Sequence, residues 1–260
     1  MRHYALAALF LTGASGAAMA QDKDDFRWSK ALSSGKTLEI IGINGDIDAR
    51  GGSGSEALVT AVKRARRSDP EDVRIEVVEH ADGVTICAVY PSRRSGRPNE
   101  CRPGGEGRND TRDNDVQVHF TITVPRGARF IGRTVNGRVD AVALDGAAEA
   151  HSVNGSVTLE TAGYGSATTV NGSIRARLGR ADWSDDLEFT TVNGQIDITL
   201  PEGLNADVEA SSVNGGIRTD FPLTVRGKWG PKRMTGKIGS GGRGLVLSTV
   251  NGGMEIRQGR

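Results

Sequence analysis

Aromatic side chains are scarce in this chain. Phe, Trp and Tyr make up 5% of 260 residues, too few for a bulky globular core. Charge of one sign is equally lacking: the formal net charge is +1, so no strong field favours nucleic acid or an anionic membrane. The four histidines, His3, His80, His119 and His151, are scattered, and no Cys/His spacing resembles a zinc site. After the N-terminus no stretch approaches eighteen consecutive apolar residues, which excludes a transmembrane helix there. Glycine is abundant instead, at 36 residues, and with Val, Ile and Thr it suits thin β layers.

The first twenty residues read as a secretory signal peptide. Met1-Arg2-His3 is a short basic start, Ala5 to Thr12 an apolar stretch, and Ala18-Met19-Ala20 a small-x-small cleavage site. The alternative is a buried N-terminal helix. No cysteine follows the cleavage site, so no lipoprotein anchor is expected. Residues 21–260 are then one exported domain, periplasmic, surface-bound or secreted. In such a compartment Cys87 and Cys101, fourteen residues apart, read as a disulfide rather than as two reduced, separately buried thiols.

A short phrase keeps returning. Val-Asn-Gly occurs at 135–137, 153–155, 170–172, 192–194, 213–215 and 250–252, and Ile43-Asn44-Gly45 is a more distant copy. The valines are spaced by 18, 17, 22, 21 and 37 residues. MTGKI at 234–238 reads as a degenerate copy that divides the last interval. Repeats of about twenty residues mean stacked units, none of which buries a core alone.

Apolar residues alternate within each repeat as in strands. With the valine as position zero they fall at minus five and minus three (Leu187, Phe189) and at plus four and plus six (Ile196, Ile198). Alternation breaks between minus three and zero, as in a strand that turns a corner and keeps pointing inward. Two β segments and a bend describe one rung of a solenoid. The corner residues are Asn44, Gly45, Asn136, Gly137, Asn154, Gly155, Asn171, Gly172, Asn193, Gly194, Asn214, Gly215, Asn251 and Gly252. Gly is expected to supply a positive φ, and Asn to tolerate the left-handed region. Each Asn can bond its own turn or its copy one rung away, and the Ser or Thr before each Val is expected to stack likewise. Charges at plus five (Asp140, Thr158, Arg175, Asp197, Arg218) read as a salt-bridged outer face.

The N-terminal part is less regular. Segments 57–64, 72–79, 84–90 and 116–124 read as strands that form the first coils and cap one end. Residues 91–115, polar and Gly-rich, read as a mobile loop or an interaction arm. GSGGRG at 239–244 fits a dinucleotide fingerprint, but a strand and not a helix follows it, so it is a loop. Trp229 is a strand-end anchor or a basic-aromatic contact. Glu188 and Glu209, both at minus four, are expected on adjacent rungs roughly 5 Å apart. They are a candidate weak divalent-cation site or simply splay into solvent.

The opening FRWSKALSSGKTLEIIGINGDIDA, the block VRIEVVEHADGVTICAVYP, the Val-Asn-Gly series and the ending GKWGPKRMTGKIGSGGRGLVLSTVNG carry a resemblance. From Phe26 to Arg257 the chain resembles the bacterial adhesin-like family of domain of unknown function 4097. The resemblance implies an exported β-solenoid and supplies no catalytic or ligand residues. The expected fold is all-β: a single parallel β-helix or solenoid, right-handed by the usual rule for β crossovers, with a less regular N-terminal capping region. The expected role is a non-enzymatic adhesin or envelope binding or scaffold module. Its partner would be an envelope or surface protein or a glycan, not nucleic acid, and it would have no cofactor and no transmembrane anchor. A carbohydrate-active enzyme on the same fold and an envelope-stress accessory protein are the alternatives.

Overall fold

The computed structural model describes residues 25–93, 96–223, 225–226 and 231–259. Residues 1–20, read as a signal peptide, and Trp229 lie outside them. The fold is all-β. Two sheets, of ten and eleven strands, face each other and enclose one core that runs the length of the molecule.

Each rung contributes one strand to each sheet, paired in parallel with its neighbours. The central rungs follow the sequence: Arg129–Arg133 with Val139–Leu144, Ala148–His151 with Val157–Thr161, Gly165–Thr168 with Ile174–Leu178, and Leu187–Asn193 with Ile196–Leu200. Alternation requires the inward residues to pack over their copies one rung away, and they do. Val157 lies over Ile174 and Ile174 over Ile196, each almost wholly buried. Side-chain size is balanced within a rung, which is how so few aromatics suffice. Buried Phe130 sits beside Gly132, where an added Cβ would meet the Phe130 ring at 3.1 Å.

At both ends the stacking order departs from the sequence order. The strands Thr37–Ile41 and Ile47–Gly51 pair on one side with Arg129–Arg133 and Val139–Leu144. On the other side they pair with Gly83–Val89 and Gln117–Val124, so the first rung in sequence is the second in space. The C-terminal end repeats this arrangement. Gly244–Asn251 and Met254–Gln258 slot between Leu187–Asn193/Ile196–Leu200 and Ala206–Asn214/Ile217–Thr219. In each case the chain runs outward, reverses and returns, leaving its terminal rung enclosed.

Antiparallel strands then cap three of the four sheet edges. Glu56–Arg64 pairs with Gln117–Val124 and Phe26–Ala31 with Glu56–Arg64, while Arg74–His80 pairs with Gly83–Val89. At the far end Lys232–Ile238 runs antiparallel to Ala206–Asn214. Reversal of direction ends the parallel stack at those edges, so that another copy cannot continue it in register; the fourth edge is the short parallel strand Ile217–Thr219. This corrects two expectations. MTGKI is part of a capping strand and not a hidden coil, and the capping is not confined to the N-terminal region. The long 37-residue interval is the excursion out to the cap and back.

Candidate functional site

The repeated corner differs in detail from its sequence reading. Burial alternates through minus five, minus three and minus one, so the inward corner residue is the Ser or Thr. Thr134, Ser152, Thr169, Thr191, Ser212 and Thr249 are all buried. Each hydroxyl donates to the corner glycine carbonyl of the neighbouring rung, as in Thr191 to Gly172 (2.8 Å), Thr249 to Gly194 (3.0 Å) and Ser212 to Gly252 (2.9 Å). The hydroxyls therefore pair with backbone and do not stack on one another.

Nor do the glycines serve a left-handed turn. Of the seven corner glycines only Gly45 has a positive φ, at 120°, and no corner Asn does. The requirement is one of close approach. A Cβ on Gly194 would lie 1.9 Å from the Gly172 oxygen, and one on Gly172 would lie 2.1 Å from that of Gly155.

Beyond the buried hydroxyl the chain turns outward, and two columns result. The asparagines form a continuous ladder in stacking order, each Nδ2 donating to the Oδ1 of the previous rung. The steps are Asn136 to Asn44 (2.7 Å), Asn154 to Asn136 (2.8 Å), Asn171 to Asn154 (2.9 Å), Asn193 to Asn171 (2.8 Å), Asn251 to Asn193 (2.8 Å) and Asn214 to Asn251 (2.8 Å). Beside the ladder runs a line of valines. Val135, Val153, Val170, Val192, Val250 and Val213 are each 37–43% exposed, and they are all of the exposed large hydrophobics among the described residues. A strand that keeps pointing inward through the corner places these valines in the interior, and the structure places them outside. The signal that places them outside is the Ser or Thr one position earlier, which takes the inward place and needs a buried backbone acceptor.

On the outer face of the eleven-stranded sheet a second group of residues meets. Glu39, 2% exposed, accepts from Thr85 Oγ1 (2.9 Å), Arg133 Nε (3.1 Å) and the Gly104 amide (2.8 Å). A buried carboxylate needs such partners to offset its lost hydration. Arg133 also approaches Glu149 (3.8 Å), which pairs with Arg129 and lies 3.6 Å from His151 Nε2. His151 and then the Arg129 guanidinium hold the Glu149 carboxyl at about 2, against the opposing effect of burial. Glu149 and Arg129 line one wall of an open cleft of about 500 Å³ at the corner opposite the valines, with Tyr164, Trp183, Asp185 and Asp186. Trp183 is buried, its indole donating to the Gly244 carbonyl (3.2 Å), so it supports the cleft from beneath.

The Toastrack DUF4097 family profile matches residues 31–257. The chain belongs to the Toastrack family. No curated protein matches it. Among solved structures, a "putative cell adhesion protein" from Clostridium sporogenes is similar over 90% of this chain and 99% of its own, with 10% identity and a TM-score of 0.46. A "putative adhesin" from Bacteroides fragilis is similar over 90% and 97%, with 11% identity and a TM-score of 0.24.

In this Toastrack chain the remaining candidate residues are placed as follows. Cys87 and Cys101 form a disulfide, with Cα atoms 5.6 Å apart. With Asn99 and Glu39 it fastens the segment read as a mobile loop. Asn99 Nδ2 donates to the Tyr90 carbonyl (3.0 Å) and its Oδ1 accepts from the Asp110 amide (2.8 Å). The Tyr90 hydroxyl reaches the Val116 carbonyl (2.8 Å), which joins the two ends of the segment, and burial pushes its pKa up to about 12.

Glu188 and Glu209 are not on adjacent rungs. Glu188 faces Val246, and Val246 faces Glu209, because the last rung is inserted between them. Two strand spacings separate the pair by roughly 10 Å. Glu209 pairs with Arg233 instead, and Glu188 accepts from Thr190 (2.7 Å). The expected cation site therefore has no geometric basis. Insertion also alters the charged column: Asp197 has Glu255, not Arg218, as its neighbour, with Arg257 bonding both (2.9 and 2.7 Å). GSGGRG is a loop, its Ser240 and Gly242 amides held by Asn205 (2.8 Å) and Asp207 (3.0 Å).

Proposed function

We propose that this Toastrack protein is an exported, non-enzymatic binding or scaffold module of the cell envelope, acting as an adhesin-type protein in the periplasm or at the surface. Its Val-Asn-Gly edge is the surface that meets the partner. The observation carrying this reading is the line of six exposed valines. Exposed apolar side chains scattered singly need no explanation, but a contiguous row marks a contact surface. Rigidity supports the same reading: six Asn–Asn bonds hold the row in a fixed register. Export is supported by the disulfide, which belongs to oxidising compartments, and by the basic and apolar N-terminal residues. Among the described residues no helix is long and apolar enough to cross a membrane.

The cleft with its carboxylates favours one second reading, a carbohydrate-active enzyme. A general acid for glycoside cleavage must hold its proton near neutral pH, which calls for a raised pKa. Glu149 is shifted the opposite way and is tied to Arg129. That weakens its claim to such a role. Capture from isolated envelopes tests the preferred reading. The mature chain is expected to retain a partner that the double variant Val170→Asp/Val192→Asp loses. Equal capture by both chains would contradict it.

A further inference from the structure

We infer that the Val-Asn-Gly edge binds an uncharged linear polysaccharide lying along the solenoid axis. The inference rests on the reading of this edge as the contact surface, and names what occupies it.

Three properties of the edge select this chemistry. The first is shape. Six valines in five steps of about 4.8 Å make a stripe roughly 24 Å long and one side chain wide. Its apolar area is on the order of a few hundred Å², drawn out into a strip, whereas a stable protein interface of roughly 800 Å² per partner is a broad patch. A narrow, extended ligand matches this shape better than the broad face of a second folded protein.

The second property is charge. Past His151 the columns beside the valines hold no charged residue: Thr168, Thr190, Ser248 and Ser211 on one side, and Ser156, Ser173 and Gln195 beyond the asparagines on the other. At the Val135 end the same two columns carry Arg133 and Arg138, the latter paired with Asp48 and Asp140, so the uncharged strip runs beside the valines from Val153 to Val213. Electrostatic complementarity therefore favours a neutral ligand over polyanions and polycations.

The third property is the hydrogen-bonding valence left over by the ladder. Each interior asparagine spends one N–H and one oxygen lone pair on its neighbours. A carboxamide has two of each, so one donor and one acceptor per rung remain for solvent or ligand. Sugar hydroxyls also donate and accept. A pyranose carries C–H faces suited to valine and hydroxyl rims suited to asparagine. In an extended equatorially linked chain its length is close to one strand spacing. One sugar per rung keeps register along the whole row, and the rigid ladder spares the ordering cost on the protein side.

Affinity electrophoresis of the mature chain provides the test, with four probes: a soluble uncharged β-1,4-glucan, alginate, chitosan and zwitterionic phosphatidylcholine vesicles. Retardation by the glucan alone is expected, insensitive to salt, and strengthening with oligosaccharide length up to about five units, one for each exposed valine from Val153 to Val213. Val170→Asp/Val192→Asp, with melting checked to show that it folds, should weaken binding at least tenfold, the equivalent of about 1.4 kcal/mol. Retardation by alginate, chitosan or vesicles in place of the glucan overturns the inference, as does glucan binding that the variant retains. Loss of envelope capture in the same variant, without glucan binding in the parent, overturns the polysaccharide and leaves the edge as a surface for a protein. Unchanged envelope capture counts against the edge itself.

Discussion

The Thr191 hydroxyl donates to the Gly172 carbonyl one rung away at 2.8 Å, inside the core and at the corner where the chain turns outward. The side chain is 1% exposed, so neither partner has water as an alternative. Thr191→Val keeps the shape and removes the donor, leaving a buried acceptor unpaired at a cost of about 1–3 kcal/mol. Thr191→Ser should be tolerated, since Ser152 and Ser212 make the equivalent bond. Thermal melts of the two variants decide this: Val lowers the midpoint markedly and Ser does not.

Gly194 makes a sharper prediction. Its Cβ position lies 1.9 Å from a backbone oxygen that cannot rotate away. Ala should therefore be nearly as damaging as Val, because the first carbon already collides. Soluble expression and melting of Gly194→Ala and Gly194→Val check the point. A tolerated Ala would remove close approach as the reason for the glycine.

Much of this architecture is legible in the chain. The period, the inward positions at minus five, minus three, plus four and plus six, and the paired cysteines all follow from local chemistry. The stacking order does not. Nothing in Val250-Asn251-Gly252 distinguishes a rung added at the end from one inserted between Leu187–Asn193 and Ala206–Asn214. Insertion is decided by the capping strand Lys232–Ile238, which turns the chain back and occupies the outer position first. The same insertion separates Glu188 from Glu209, which the repeat register alone places side by side. The exposure of the valines has another cause: alternation continues past minus three through the buried hydroxyl at minus one, which turns the next residue outward.

Cys87 and Cys101 close a loop over a small apolar patch that includes Val89 and Ile41. Mass spectrometry without reductant is expected to find them linked in exported protein. Reduction should lower stability by about 3 kcal/mol on the loop-entropy model for a separation of 14 residues. Two free thiols in freshly isolated protein would contradict the assignment.

Glu149 predicts an acid-sensitive contribution to stability. His151 and Arg129 hold its carboxyl at about 2 in the folded chain, below the ordinary value of 4.5. A depressed carboxyl binds fewer protons folded than unfolded, so its contribution is complete above pH 4.5 and is lost as the pH falls through about 2. Melting temperature against pH should fall across that window in the parent. In Glu149→Gln the same window should be flatter. Parallel curves would show that the carboxylate does not contribute in this way.

The valine edge itself is tested most directly by placing a photoreactive residue at position 192, within the exposed line, and separately at position 175, on the exposed outer face of Ile174–Leu178. Both chains are applied to isolated envelopes and irradiated. The account predicts a covalent adduct from position 192 and none above background from position 175. Adducts of equal yield from both positions, or from 175 alone, would contradict it.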